Sequence, residues 1–249
     1  MVAVWRCTAI LLCICLLCGF RMQPKKDRYF YESRGDIVWE VPLHEKKIAL
    51  TFDDGPYPKT TNEILDLLKQ YNAKATFFVV GHRVKEFPDT IKREIAEGHE
   101  VANHTYNHVF LTKGTTASTI QKEIMQTEDS LVELTGKRPH LFRPPGGFYN
   151  ERMIQISHKL GYTTVLWSWH QDTDDWRSPG VNHIVRKVLK NARNGDIVLL
   201  HDYIPGNGHT VQALRVILPE LTKRGYKLVT VTELMEDKTN EMMRTDKAG

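Results

Sequence analysis

Carboxylates and imidazoles stand at spacings that suit a divalent metal ion. Asp53 and Asp54 are adjacent in TFDDGP, and His104 and His108 lie four residues apart in HTYNH. Two imidazoles at this spacing can face the same side of one turn, and one carboxylate completes the His₂–carboxylate set of catalytic zinc. Zinc lowers the pKa of bound water to about 7, and the second carboxylate would be free to act as a base. An acidic turn and two surface histidines are the alternative interpretations.

Three further polar groups follow apolar segments. His201 ends the run IVLLH, where proton transfer is one interpretation and a buried core histidine the other. Arg143 opens RPPGG, whose prolines fix a loop that could aim the guanidinium at Asp53, although a surface charge is the simpler alternative. One of the acids in DTDDW, at 172–176, could orient and charge His201.

An alternation of short apolar runs and amphipathic stretches must position these groups. It predicts parallel βαβ units, and the candidate residues fall at or just beyond the C-terminal ends of the runs. A barrel gathers those ends on one face, whereas an open sheet collects ligands only at its switch point. The sequence therefore predicts an α/β fold, a (β/α) barrel in a single domain. The predicted strands are 48–52, 75–80, 100–103, 141–143, 163–169, 196–200 and 227–231, and the helices 60–72, 88–98, 117–136, 150–160, 181–193 and 211–224.

The composition excludes some classes of function. The 249 residues are 41% apolar and carry 34 Lys+Arg against 30 Asp+Glu. The first 28 residues hold five basic residues and one acid, so the remainder carries no net charge. Without a basic stripe, a nucleic-acid partner is not expected. All four cysteines precede residue 19, which excludes a disulfide framework or a cysteine-ligated metal in the domain.

The N-terminal segment suggests export. Its apolar stretch, 7–20, lies between Arg6 and Arg21 and has the length of a secretory core, about 7–15 residues. It lacks a small-x-small cleavage site, so an uncleaved anchor over 2–20 is equally compatible, and a buried core helix is a third interpretation. The basic residues that follow it favour a cytoplasmic side and so oppose export. We expect a signal peptide or N-terminal membrane anchor at 1–22, a polar linker at 23–45, a polar tail at 237–249 and an extracellular or cell-surface location.

Five motif blocks in order give a specific resemblance. TFDDGP at 51–56, HTYNH at 104–108, RPPGG at 143–147, DTDDW at 172–176 and LLH at 199–201 resemble the polysaccharide deacetylases of carbohydrate esterase family 4, the NodB-like domain. Each block alone is weak, but five in register are highly specific, and the resemblance covers 46–236. It implies a distorted (β/α) barrel with seven or eight units.

The positions that match the family's motifs imply roles residue by residue. The resemblance implies that Asp54, His104 and His108 are the metal ligands. The metal is normally zinc, though cobalt or another divalent ion can serve. It implies that Asp53 is the catalytic base and that Arg143 orients this base. It also implies that His201 is the catalytic acid and that Asp175, preferred to Asp172, tunes His201. The implied substrate positions are Leu199 as the wall for the acetyl methyl, Gly146, Trp176, Phe148 and Tyr149. Gly146 departs from the family, which often has an aromatic residue there, but its backbone N–H can still serve an oxyanion.

The resemblance implies a metal-dependent hydrolase that removes N-acetyl groups from amino sugars and releases acetate. The expected partner is a polysaccharide, either peptidoglycan or a chitin-like chain, and the expected state is a monomer. Hydrolysis of O-acetyl esters on xylan-type chains is one alternative. A catalytically inactive wall-binding module is the other, disfavoured because every ligand and the base are present.

Overall fold

Eight parallel strands form the centre of the computed structural model, which describes residues 27–206 and 208–246. The strands are β1 Ile37–Val38, β2 Lys47–Asp53, β3 Ala75–Val79, β4 Glu100–Asn103, β5 Leu141–Phe142, β6 Thr163–Val165, β7 Ile197–His201 and β8 Lys227–Leu228. Their order is β1-β6-β5-β4-β3-β2-β7, and β8 pairs with the start of β2. The parallel order confirms the α/β class.

Nine helices surround the sheet within the described ranges. They are α1 Arg28–Ser33, α2 Pro58–Gln70, α3 Gly81–Glu86, α4 Pro88–Ala96, α5 Ala117–Thr135, α6 Glu151–Lys159, α7 Val181–Asn191, α8 Thr210–Lys223 and α9 Val231–Asp246. In α8, Val211, Leu214, Leu218 and Leu221 are buried at steps of three and four residues. One helix face therefore packs on the sheet, as the periodicity predicts.

Strands β2 and β3 are buried along their whole length because helices cover one face and the barrel interior the other. β2 pairs with β3 on one side and β7 on the other, and Asp53 is the register partner of His201. The last residues of β2 and β7 therefore stand side by side at one end of the barrel.

The barrel closes irregularly between its edge strands, β1 and β7. The predicted strand 163–169 ends at Val165, and residues 166–172, the crossover segment, pass to β7 instead. Within it, Leu166 N–H donates to the Val38 carbonyl (2.7 Å), and Ser168 N–H donates to the Ile197 carbonyl (3.0 Å). The chain leaves the β6 ladder because it must bridge two strands that do not pair directly, which makes this a distorted (β/α) barrel.

The segment 23–45, expected to be a polar linker, contributes to the fold. α1 lies within it, β1 pairs with β6, and Trp39, Val41 and Leu43 are buried. The linker prediction is therefore wrong from residue 28 onward, because these apolar residues fill the side of the barrel beside the crossover segment. Similarly, α9 runs through most of the expected tail at 237–249.

The expected signal peptide or anchor, 1–22, lies outside the described residues. Within 27–206 and 208–246, no helix is both long and apolar enough to cross a membrane.

Candidate active site

A cleft of about 400 Å³ opens at the C-terminal ends of the strands. The strand ends bring together residues that are far apart in sequence, as a barrel requires. Its lining residues are Asp53, Asp54, His104, His108, Phe110, Gly146, Phe148, Trp167, Asp172, Trp176, Leu199 and His201.

Two imidazoles converge on one carboxylate oxygen in this cleft. The Nε2 atoms of His104 and His108 lie 3.4 and 3.0 Å from Oδ1 of Asp54. That oxygen is buried and has no hydrogen-bond partner among the described residues. Nitrogen and oxygen atoms that face each other without a hydrogen bond fit a shared cation, with one ligand from each side chain. The three predicted ligands are thus brought together.

Backbone contacts fix the orientation of this set. His104 Nδ1 lies 2.8 Å from the Arg143 carbonyl, so Nδ1–H donates there and the Nε2 lone pair faces Asp54. Asp54 and His108 have φ of +77° and +55°, an uncommon conformation that turns both side chains into the cleft. Burial raises the pKa of Asp54, but the imidazoles of His104 and His108 outweigh it and hold that pKa far below its usual range.

Asp53 is held by a fully buried arginine. Arg143 Nη1 donates to Asp53 Oδ1 at 2.7 Å and to Thr51 Oγ1 at 2.8 Å. The same guanidinium donates to the carbonyls of Val165 (3.2 Å) and Leu166 (2.9 Å), so its position is fixed on two sides. The second oxygen of Asp53, Oδ2, lies 3.8 Å from His104 Nε2. This carboxylate therefore sits beside the candidate metal ligands while Arg143 stabilises its negative charge.

His201 is paired with Asp175. Its Nδ1 lies 2.7 Å from Asp175 Oδ1, and its backbone N–H donates to Oδ2 at 2.8 Å. Thr210 Oγ1 also donates to that Oδ2, which fixes the buried carboxylate. Burial lowers the pKa of His201, but the contact with Asp175 prevails and raises it to about 9. The imidazole is therefore charged at neutral pH in the metal-free protein.

Asp172, the alternative partner, is not the carboxylate that hydrogen-bonds to the His201 ring. Its Oδ1 accepts the N–H of Asp174 at 3.1 Å, and its side chain lines the cleft instead. Burial raises the pKa of Asp172.

Aromatic rings form the rim, with one departure from prediction. Phe148 and Trp176 are about half exposed (53% and 50%) and line the cleft, as expected. Tyr149 does not line it, because its ring packs edge-on against Tyr31 and Trp39 at 5.7 Å in each case. The backbone at Phe148 is extended (φ −73°, ψ 116°), so neighbouring side chains point to opposite sides.

The rim also contains residues that the motifs did not indicate. Phe110 lies 5.5 Å from the ring of His108 and 5.7 Å from that of Phe148. Its only sequence signal is its place two residues after HTYNH. Trp167 also lines the cleft and lies on the crossover segment.

A buried carboxylate supports the turn after β2. Asp202 Oδ2 accepts from Thr61 Oγ1 at 2.6 Å, and a Cβ at Gly55 would lie 2.0 Å from that oxygen. Burial raises the pKa of Asp202 to about 7. The sequence signal was present in LLHD, but nothing in it distinguished Asp202 from a solvated acid.

Comparison with known proteins agrees with this geometry. Residues 40–165 match the polysaccharide deacetylase family model. A peptidoglycan-N-acetylglucosamine deacetylase from Bacillus cereus is 50% identical over 207 residues, which are 83% of this chain and 96% of that protein. The solved peptidoglycan deacetylase PdaC from Bacillus subtilis superposes with a TM-score of 0.75 at 38% identity, covering 82% of this chain and 97% of that one.

A family 4 acetyl xylan esterase from Clostridium thermocellum, solved with a cobalt ion, is also similar. It shares 35% identity and a TM-score of 0.71, covering 77% of this chain and 91% of that one. Sequence and fold thus agree over the region that carries the cleft, and the chain belongs to the polysaccharide deacetylase family, carbohydrate esterase family 4.

Proposed function

We propose that this deacetylase removes N-acetyl groups from the amino sugars of peptidoglycan with the help of zinc. The observation that carries the proposal is the convergence of His104 and His108 on Asp54 Oδ1, beside the separately held carboxylate of Asp53. The names of the Bacillus relatives support peptidoglycan as the substrate. The buried, unpartnered Asp54 oxygen and the His₂–carboxylate donor set support a zinc-type cation, and the cobalt-bound relative supports a divalent one.

Asp53 is suited to the role of general base. A divalent cation held by Asp54, His104 and His108 would polarise the acetamide carbonyl and lower the pKa of bound water. Asp53 is buried and held by Arg143 through Oδ1, so Oδ2 is left to take the proton of the attacking water. Arg143 thus positions the base without touching the substrate.

His201 is suited to the role of general acid. Its register pairing with Asp53 places the two groups on neighbouring strand ends, on one side of the cleft. Asp175 keeps it protonated at neutral pH, so it can give a proton to the departing amine. Leu199, on the same strand, supplies an apolar wall for the acetyl methyl, and the N–H of Gly146 supplies an oxyanion donor.

Exchange of Asp53 for Asn tests the base. Asp53→Asn should bind zinc as the wild type does and lose at least about 10²-fold in acetate release, the usual contribution of a general base. Asp129→Asn, at an exposed position on α5, is the matched control and should keep full activity. Substantial turnover by Asp53→Asn would remove Asp53 from the base role.

Ester hydrolysis is a second candidate, favoured by the similarity to the acetyl xylan esterase. Acetate release from peptidoglycan, chitooligosaccharide and acetylated xylan separates the two functions. We expect the highest kcat/KM on peptidoglycan. A preference for xylan would replace the substrate assignment, and inactivity on all three with zinc bound would favour a wall-binding module.

We also propose that the protein acts as a monomer outside the cytoplasm. The apolar stretch at 7–20 and the cell-wall substrate of its relatives support export. Cell fractionation and light scattering of the purified protein test the two statements separately.

A further inference from the structure

A second cluster of metal-ligating side chains lies beside the irregular closure of the barrel. Glu40 follows β1, His170 lies in the crossover segment, and Asp196 directly precedes β7. One potential ligand atom from each lies within 4.8 Å of the other two. Two ligands each about 2.1 Å from one metal ion are at most about 4.2 Å apart, so little adjustment would bring all three to a shared ion.

His170 has no hydrogen bond to account for its burial. Its side chain is 5% exposed, yet neither ring nitrogen has a hydrogen-bond partner within the described residues. Nε2 nevertheless lies 3.0 Å from Asp196 Oδ1, which is also the distance between His108 Nε2 and Asp54 Oδ1 in the candidate metal site of the cleft. A buried imidazole without hydrogen bonds is costly, and a cation between its lone pair and the carboxylate would remove that cost.

The two carboxylates are oriented by other contacts that leave one oxygen available on each. Asp196 Oδ2 accepts from Gln171 Nε2 and from Arg193 N–H, both at 2.8 Å, so Oδ1 faces His170. Glu40 Oε1 lies 3.0 Å from Arg28, so Oε2 remains for another partner. Such second contacts orient ligands at established metal sites.

We propose that Glu40, His170 and Asp196 bind a second divalent cation of the zinc class, distinct from the catalytic one. One imidazole and two carboxylates form a neutral set with a dication and suit Zn²⁺, and the half-exposed Glu40 provides access from solvent. Asp196 is five residues before His201 on an extended strand, so the Cα atoms of these two residues are about 17 Å apart. His170 lies nearer to the catalytic cleft, two residues before Asp172.

The position of the site indicates a structural role. Its three ligands come from three separate segments that meet between the edge strands β1 and β7, where single backbone hydrogen bonds such as Val41 N–H to the Gly195 carbonyl join them in place of a regular ladder. A cation there would stabilise the barrel at its irregular closure without contacting Asp53, Asp54 or His201.

Metal stoichiometry in the full-length protein tests the proposal. After equilibration with micromolar Zn²⁺ and removal of free metal, wild type should hold two equivalents and the His104→Ala/His108→Ala variant one. Adding Glu40→Gln to that variant should bring it to none. His158→Ala, which removes an exposed histidine on α6, is the control and should keep two. One equivalent in wild type and none in His104→Ala/His108→Ala would overturn the proposal.

Cobalt and thermal unfolding give independent readouts. The His104→Ala/His108→Ala protein should show Co²⁺ d–d absorption that Glu40→Gln abolishes, and a chelator should lower its melting temperature by several degrees only while Glu40 is present. His170→Gln repeats the test at a second ligand. In the otherwise wild-type protein, Glu40→Gln should retain deacetylase activity in the presence of zinc. No spectrum and no chelator effect in the His104→Ala/His108→Ala protein would count against the second site.

Discussion

At the scale of single residues, the charge of His201 depends on one buried carboxylate. Because Asp175 raises the pKa of His201 to about 9, Asp175→Asn should bring that pKa down by more than one unit. NMR titration of the His201 ring in the metal-free protein measures it. The alkaline limb of the pH–activity profile should move to lower pH in the same variant, because the general acid loses its proton earlier.

The same contact makes stability depend on pH with a definite sign. The pKa of His201 is higher in the folded state than its unfolded value of 6.5, so the contribution to stability is complete below about 6.5. It declines as the pH rises towards 9. The difference in unfolding free energy between wild type and Asp175→Asn should follow that course in denaturant titrations.

Asp172→Asn is the matched control for both measurements, because Asp172 lines the cleft without bonding His201. An equal effect of the two substitutions would show that His201 responds to the general field of the cleft instead of to Asp175.

The motifs predicted most of the cleft residues but not every contact. DTDDW offered Asp172 and Asp175 as partners of His201, and only the turn Asp175–Arg177 decides which one reaches the imidazole. Tyr149 was predicted to touch substrate because it follows Phe148, yet its ring fills a gap next to Trp39. Neighbours in a loop have no fixed periodicity, so their directions could not be predicted from spacing.

At the scale of elements, Arg143 connects strands β2, β5 and β6. It follows β5 and donates to Asp53 and Thr51 on β2 and to the end of β6. Arg143→Lys retains the charge but cannot satisfy all these acceptors, so we expect it to destabilise the fold by about 3 kcal/mol. Urea unfolding measures the loss, and Arg152→Lys, with one exposed carbonyl contact, should change stability by less than about 0.5 kcal/mol.

Gly147 tests how the loop after β5 supports Trp167. Its φ is +68°, and a Cβ there would lie 2.6 Å from the Trp167 ring. Gly147→Ala should therefore lower kcat/KM by displacing this wall of the cleft, in addition to the strain of about 1–2 kcal/mol that any side chain meets at this φ. Gly136 has φ +69°, and a Cβ there would meet no other atom of the described residues within 4 Å. Gly136→Ala should therefore lower the unfolding free energy through backbone strain and leave the kinetics unchanged.

The element predictions succeeded where hydrogen-bond ladders are regular. The buried run at 48–52 corresponds to β2, whereas the strand predicted at 163–169 ends at Val165 in the structure. Its residues alternate as a strand does, but they bond singly to β1 and β7. The apolar pattern of a sequence indicates which residues are buried, but it does not indicate which strand their backbone groups hydrogen-bond to. The crossover segment was therefore predicted as part of a strand.

At the scale of the whole molecule, the segment before β2 is part of the barrel. Ile37 is fully buried and pairs with Thr164, so Ile37→Ala should destabilise the protein by about 2–5 kcal/mol. Tyr29→Ala, at a residue 77% exposed, should change stability by less than about 0.5 kcal/mol. Equal unfolding midpoints for the two variants would mean that the barrel folds independently of this segment.

The pairing of Asp53 with His201 has a consequence for redesign. Peptide hydrogen bonds between β2 and β7 set the interval between the two groups, at the strand spacing of about 4.8 Å. The loops that carry Phe110, Phe148 and Trp176 lie outside that ladder. Exchange of these rim residues alone, with Asp175 kept beside Trp176 and His108 kept near Phe110, should consequently change polysaccharide preference while preserving proton transfer, so that the scaffold can be diversified one rim residue at a time.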